Sequence, residues 1–379
     1  MIPDQNHTAI FGQSGSGKTG AVIHLMEQAL LNGISVIAVD IKGDLANIVT
    51  SSEELIKPIL YTPGADHGYR VSLLAKFSKP DTLSEGVQAL LSILGLETSK
   101  LQSSYHSFLL QVVKELGPVK SKSIENIIEE VLSPSFKDVG WLSVDKVLSE
   151  AKREDLAVRL NNLLVDDGMK HWLYGSSLDF KDMQPGQCII YSVAHITDTA
   201  QQHTAISYLL SDVCAWTWKL SGTDKAKAVV VIDECEGLLP PYPKNPITKQ
   251  HLMSLAKKGR AFGVGLILAT QNSKDIDYKV LSNCNTWLIG RLKTEIDRSR
   301  VLEGVNSSYH KDTAKALNSL NKREFIKIHG ATTTKWISPD VSSKLTGPYT
   351  SEELRALYKI PAEVPNKSIV SYLKRTFGL

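Results

Sequence analysis

Short apolar runs alternate with helically spaced apolar positions along most of this chain, and the alternation predicts a fold before any chemistry is considered. His7 to Phe11 (HTAIF) reads as a short buried strand running into a glycine-rich loop. From Lys18 the apolar positions Val22, Leu25, Met26 and Ala29 recur at helical spacing, and Asn32-Gly33 supplies the stop. Ile34 to Val39 is a second apolar strand, ending at Asp40. Strand, loop, helix and strand in that order open a parallel sheet with crossover helices. The alternation returns later in the chain. Gln187–Val193, Ala228–Ile232 and Val264–Thr270 predict strands, separated by helices over Thr199–Leu220 and Thr248–Phe262. Trp287–Leu292 and Phe325–His329 predict two more strands at the far side of the sheet.

Residues 80–182 carry a different pattern. Helical spacing appears over Leu83–Leu96, Tyr105–Leu116, Ile124–Leu132, Val144–Ala151 and Leu156–Leu164, with breakers at Gly117-Pro118 and Ser133-Pro134. This predicts a mainly helical insertion without a catalytic signature, whose Lys and Glu residues form a solvated face. From Gly347 the chain offers a capping box, Thr350-Ser351-Glu352-Glu353, on one short helix and a second helix near Ser368–Arg375. The expected organisation is therefore one α/β core in two parts, 1–79 and 183–346, with a helical insertion at 80–182 and a helical tail at 347–379.

Composition narrows the class. The 379 residues suffice for one large α/β domain or a core with a smaller companion. Hydrophobic residues make up 42% and charged residues 22%, the balance of an ordinary globular protein. The formal net charge is only +3, so any DNA contact has to come from local patches rather than bulk basicity. No apolar run approaches the roughly 18–20 residues of a membrane span. The start, Met-Ile-Pro-Asp-Gln-Asn-His, lacks the basic and apolar regions of a signal peptide. Cys188, Cys214, Cys235 and Cys284 are far apart, without metal-like spacing, and read as buried small hydrophobes in a reducing cytoplasm.

Four motifs carry chemistry. The first, Gly12-Gln13-Ser14-Gly15-Ser16-Gly17-Lys18-Thr19, lies between a predicted strand and a predicted helix, the context a phosphate-binding loop requires. Its glycines let backbone N–H groups turn inward around phosphates, and the helix N-terminus adds partial positive charge. Lys18 is expected to reach the β- and γ-phosphates of ATP, and Thr19 to ligate Mg²⁺. The second is Val229–Ile232 ending in Asp233-Glu234: Asp233 suits a carboxylate orienting Mg²⁺ through water, and Glu234 a general base acting on the attacking water. The third, Val264–Thr270 followed by Gln271, places a polar side chain at the end of an additional strand; Gln271 either senses the γ-phosphate or caps the strand. The fourth concerns arginines. Arg260 lies at the end of the helix between Glu234 and that strand, either as a finger for a neighbour's phosphate or as a partner for the helix dipole. Arg291 is a second phosphate-facing candidate. Asp40, at the carboxyl end of the second strand, either orients the nucleotide site or serves the strand end alone. No Asn-Lys-x-Asp guanine motif occurs, since Asn272-Ser273-Lys274-Asp275 has the wrong order, and no Leu-Ser-Gly-Gly-Gln is present.

Taken together, these segments resemble the HerA/FtsK superfamily of ring-forming DNA-translocating ATPases. The residues that carry the resemblance are His7-Thr-Ala-Ile-Phe-Gly-Gln-Ser-Gly-Ser-Gly-Lys-Thr19, Val39-Asp-Ile-Lys-Gly-Asp-Leu45, Leu60-Tyr-Thr-Pro-Gly64, Ile232-Asp-Glu-Cys-Glu-Gly-Leu-Leu-Pro240 and Lys258-Gly-Arg-Ala-Phe-Gly-Val-Gly-Leu-Ile-Leu-Ala-Thr-Gln271. The resemblance implies a RecA-like parallel, partly mixed sheet flanked by helices, and a hexamer with nucleotide between subunits. It also implies Arg260 supplied in trans, Gln271 as sensor, double-stranded DNA in a central pore, and a nuclease or other effector as partner. Two alternatives keep their place: an ATP-gated platform that recruits an effector without moving DNA, and a conjugation or secretion ATPase. Full-length HerA relatives carry a β-barrel ahead of the phosphate loop. Here that loop begins at Gly12, so the expectation is either a minimal relative or a piece of a longer chain.

Overall fold

A computed structural model describes residues 5–50, 57–96, 104–175, 178, 180, 183–272, 276–292, 294–304, 313, 315–317, 319–340 and 349–360. Its strands are β1 (His7–Phe11), β2 (Ser35–Asp40), β3 (Ile59–Tyr61), β4 (Asp138–Val139), β5 (Leu142–Ser143), β6 (Cys188–Ser192), β7 (Ala228–Ile232), β8 (Val264–Thr270), β9 (Cys284–Ile289), β10 (Glu324–His329) and β11 (Thr332–Ile337). Nine of them form one sheet in the order β11-β10-β9-β1-β8-β7-β2-β6-β3, while β4 and β5 pair separately. From β9 across to β6 the neighbours are parallel; β10 and β11 add an antiparallel margin beyond β9. The expected parallel, partly mixed sheet is what the chain forms, and β8 is the additional strand, inserted between β1 and β7.

The central strands are legible because they are covered on both faces. Every residue of β1, β2, β7 and β8 is buried, so each reads as a mainly apolar run. β11 (TTTKWI) is an edge strand with half-exposed and exposed positions, Thr-rich and carrying Lys335. It shows no such run, and the sequence pattern does not predict it. β9 begins at Cys284 rather than Trp287, because the polar Asn285 and Thr286 interrupt the apolar pattern. It also ends earlier: the Arg291 carbonyl turns away to accept the Gln13 amide at 2.9 Å.

The helices are α1 (Lys18–Leu31), α2 (Leu83–Ile93), α3 (Ser104–Lys120), α4 (Ile124–Leu132), α5 (Val144–Val147), α6 (Glu150–Val165), α7 (Asp167–Lys170), α8 (Thr199–Thr217), α9 (Ile247–Lys258), α10 (Tyr278–Leu281), α11 (Glu295–Gly304) and α12 (Ser351–Leu357). The break expected at Gly117-Pro118 lies inside α3, where Gly117 takes φ +66 and interrupts the helix. The Ser123 side chain caps α4 by accepting from the Asn126 amide at 3.2 Å. The helix expected over Val144–Ala151 is two pieces. Arg153 reaches back to the Leu148 carbonyl at 2.9 Å and to Asp145 at 2.6 Å, fixing Leu148 in an extended conformation between α5 and α6. The second tail helix, near Ser368–Arg375, falls outside the described residues.

The chain divides into two compact units. One comprises Met1–Leu60, Asp179–Ala194 and Leu209–Thr350 and holds the sheet. The other comprises Tyr61–Leu178, His195–Tyr208 and Ser351–Leu379. In it α2 packs on α3, and α4 packs on α3 and α6, around Leu90, Phe108, Leu109, Ile127 and Leu160. All four cysteines are buried, and none forms a disulfide.

A candidate nucleotide site at the carboxyl edge of the sheet

The strand order places the carboxyl ends of β1, β8, β7 and β2 side by side, so the loop after Phe11, Thr270-Gln271, Asp233-Glu234 and Asp40 converge on one edge. This is where open α/β sheets bind ligands.

The Gly12–Thr19 loop is fixed by backbone bonds at several points. The Gly12 amide donates to Thr270 O at 3.3 Å, the Ser16 amide to Gln13 O at 3.1 Å, and the Arg323 amide to Ser16 O at 2.8 Å. Gly17 takes φ +97, and a Cβ there would stand 3.1 Å from Arg323 Cα, so both conformation and space require glycine. Arg323 itself adopts φ +70, unusual for a residue with a side chain, and its guanidinium pairs with Asp340 at 2.8 Å. The Ser16 hydroxyl is buried without a hydrogen-bond partner. An orphaned donor inside a glycine cradle at a helix N-terminus fits a phosphate group. Lys18 is buried beside the loop. Burial pushes the pKa of its ammonium down to about 8, against the pull of Glu234 and with the added push of Lys42.

Thr19 Oγ1 donates to Asp44 Oδ2 at 3.5 Å. Asp233 is buried and accepts from the Ile41 amide at 3.3 Å. Burial and the neighbouring Asp40 raise its carboxyl well above the usual range. Asp40 is fully buried too. Its pKa is raised to about 6 by burial, which the amides of Leu45, Ala46 and Gly43 only partly offset. Those three amides occupy both Asp40 oxygens, at 3.2, 3.2 and 2.8 Å. Asp40 therefore shapes the turn after β2. Among the described residues no group of three or more His, Cys, Asp or Glu could hold a metal unaided. The Thr19 hydroxyl and the Asp233 carboxylate are donors of the kind that suit Mg²⁺ arriving with a nucleotide, since Mg²⁺ keeps its waters and binds through one or two side chains plus phosphates.

Glu234 is the most heavily bonded member. Oε2 accepts from Lys42 Nζ at 2.7 Å and Gln271 Nε2 at 3.2 Å; Oε1 accepts from Thr270 Oγ1 at 3.1 Å and the Gln271 amide at 3.4 Å. Burial would raise its pKa, but Lys42 and then Lys18 reverse the sign, and the carboxyl is held below the ordinary glutamate range. Gln271 is thus joined to the candidate base, and not merely placed after a strand.

The two arginines separate. Arg291 follows β9, whose neighbour is β1, and its carbonyl accepts from the phosphate loop. Arg260 lies at the other end of β8, where its carbonyl accepts the Gly263 amide at 3.1 Å. At about 3.3 Å per residue, the length of β8 puts roughly 20 Å between Arg260 and the loop beside Thr270. The same-chain loop is out of its reach. Sequence reasoning missed Lys42, Asp44, Thr270 and Arg323 as site residues. A signal for Lys42 existed: β2 and β7 are parallel neighbours with Val39 opposite Ile232, so Lys42 and Glu234 follow matched strand ends. Nothing in the sequence marks Arg323.

A family model described as an AAA-like domain matches residues 3–324. A protein named probable helicase from Methanocaldococcus jannaschii is 22% identical over 326 residues, covering 84% of this chain and 59% of its own length. The DNA double-strand break repair helicase HerA of Sulfolobus acidocaldarius is 23% identical over 331 residues, covering 86% and 63%. The chain thus spans about three-fifths of the length of these relatives. Among solved structures, VirB4 of Thermoanaerobacter pseudethanolicus superposes with TM-score 0.61 at 14% identity, covering 89% of this chain and 90% of that one. The plasmid coupling protein TrwB in complex with the ATP analogue ADPNP gives TM-score 0.59 at 15% identity, covering 89% and 86%. The expected resemblance to HerA-type P-loop ATPases is borne out, and the solved structures share the fold.

Proposed function

Because the chain belongs to the AAA-like domain family, we propose that it is a Mg²⁺-dependent ATP hydrolase working as a HerA-like ring motor on double-stranded DNA. The observation that carries the reading is Glu234, held beside Lys18 and joined to Gln271 at the mouth of the Gly12–Thr19 loop. In this reading the loop amides and Lys18 hold the β- and γ-phosphates, and Thr19 and Asp233 orient Mg²⁺. Glu234 takes a proton from a water aligned by Gln271. The water oxygen bonds to the γ-phosphorus as its bond to the bridging oxygen breaks, and ADP leaves with that electron pair.

A ring is supported by Arg260. It is too far along β8 to serve its own loop, so any nucleotide phosphate it contacts belongs to another subunit. DNA is supported by a cluster at the same end of the sheet. Lys219, Lys225, Lys227, Lys257 and Lys258 gather with Arg260, and none of the six has an ion-pair partner among the described residues. Their proximity follows from Thr223 N bonding Ala261 O at 3.0 Å, Lys227 N bonding Gly263 O at 2.8 Å, and Lys258 lying over the Trp218 ring. No described helix is long and apolar enough to cross a membrane. By way of the family resemblance we extend the proposal to a nuclease or other effector partner and a cytoplasmic location.

The test is ATP hydrolysis with and without duplex DNA. Glu234→Gln is expected to slow turnover by roughly 10²–10⁴-fold while nucleotide binding persists, and Lys18→Ala to abolish both. Undiminished hydrolysis in either variant would sink the enzyme reading. Hydrolysis without DNA affinity at low salt would instead favour an ATP-gated platform.

A further inference from the structure

Glu234 is placed to act as a base, yet in this arrangement its Oε2 is fully engaged by Lys42 and the Gln271 carboxamide. A carboxylate has about four acceptor positions; Lys42 and the Gln271 carboxamide fill both on Oε2, and the Gln271 amide takes one on Oε1, while the single Thr270 hydroxyl proton is shared between Oε1 at 3.1 Å and the Asn272 carbonyl at 3.2 Å. A water that is to lose its proton to Oε2 must take one of those places.

The donors differ in how readily each can leave. The Gln271 amide is fixed by the end of β8. Thr270 is fully buried, and its hydroxyl also accepts the Asn272 amide at 3.2 Å. The Gln271 carboxamide carries no charge to draw it towards an anion. Lys42 is the exception. It is the one cation of the set, and its side chain is 40% exposed against 7% for Glu234. Its backbone is pinned on both sides, by the Ile41 amide on Asp233 and the Gly43 amide on Asp40. Only the side chain can swing. It also stands on the edge that carries the loop: its partner Glu234 accepts from Thr270 Oγ1 at 3.1 Å, and the Thr270 carbonyl accepts the Gly12 amide at 3.3 Å.

We propose that Lys42 is a γ-phosphate-binding residue that latches Glu234. It holds the carboxylate until a triphosphate fills the loop, then moves to a γ-phosphate oxygen and vacates Oε2 for the attacking water. The inference rests on the ATP reading above. An ammonium is drawn more strongly to a phosphate dianion than to a carboxylate already sharing three other donors. A diphosphate offers no such oxygen, and the latch stays closed. Hydrolytic competence is thereby tied to the presence of the bond to be broken, and an empty or ADP-filled site keeps its base occupied.

The experiment compares affinities for a non-hydrolysable ATP analogue and for ADP, both with Mg²⁺, in the wild-type protein, Lys42→Met and Lys42→Arg. Lys42→Met is expected to lower the preference for triphosphate over diphosphate about tenfold, the size of one charge-assisted hydrogen bond. Lys42→Arg should keep most of that preference. A static salt bridge would change the melting temperature of Lys42→Met and leave the ratio untouched. Amine labelling of Lys42 in the wild-type protein, read by mass spectrometry, decides the matter even if Lys42→Met does not fold. Protection by the ATP analogue beyond that given by ADP is the expected result. An unchanged ratio or equal labelling overturns the latch and leaves the ATP reading standing; a wild-type protein that binds neither nucleotide overturns both.

Discussion

The two ends of β8 carry opposite kinds of polar chemistry. At the carboxyl end, Thr270, Gln271 and Lys42 all bond Glu234, and Lys18 lies buried beside them. At the amino end, Arg260 and five lysines stand without acidic partners among the described residues. One end gathers an acid and a cation of the same chain in direct contact. The other is a set of cations waiting for an anion. The difference is the one that the proposed contacts with a neighbouring subunit and with DNA require of the amino end.

The largest expected effect breaks this comparison at Arg260. Arg260→Ala should slow ATP hydrolysis by roughly 10³–10⁵-fold if the arginine acts across a subunit boundary. Mixing Arg260→Ala with Lys18→Ala should restore part of the activity, because each supplies what the other lacks. No rescue on mixing would place Arg260 outside any shared site. Arg291, on the same edge as the phosphate loop, sharpens the contrast: an Arg291→Ala defect should not be rescued by mixing.

A smaller effect concerns the lysines alone. The double substitution Lys225→Ala with Lys227→Ala should reduce the slope of log affinity for duplex DNA against log salt by about 2, close to one for each phosphate no longer neutralised. An unchanged slope would assign the cluster to a protein partner.

The smallest effect separates both ends from the other unit. His67 is buried edge-on to His195, with ring centroids 4.9 Å apart. Burial first, and then the charge of His195, push its pKa down to about 4, although Asp66 pulls the other way. Between pH 6.5 and 4 the unfolded chain holds this proton more tightly than the folded one, so stability falls as pH drops through that window. The wild-type melting temperature should decline there by a few degrees, and His67→Gln should flatten that part of the curve. A profile identical in both proteins would mean that His67 is not the responsible group.

Much of this was legible in the sequence, for identifiable reasons. β1, β2, β7 and β8 are buried on both faces and announce themselves as apolar runs. The phosphate loop declares itself because glycine spacing, lysine and threonine must all be present at once. What could not be read was pairing across the chain. Lys42 finds Glu234 at a separation of 192 residues, and Arg323 finds Ser16 through a backbone bond that leaves no trace in residue type. Edge strand β11 escaped because exposed Thr and Lys residues give no period against which to recognise it. Asp40 shows the converse limit: its position at a strand end is plain from the sequence, but only the three amides around it reveal where its oxygens point.

Arg323 has a mechanical consequence. Its amide grips the Ser16 carbonyl, its own carbonyl accepts the Ser338 amide at 2.9 Å, and the next residue begins β10. The base of the β10–β11 hairpin and the floor of the phosphate loop are therefore tied through one residue. A tug on the outermost edge of the sheet cannot stay local: it must shift the Ser16 carbonyl or snap a 2.8 Å bond. The loop can feel a load applied three strands away.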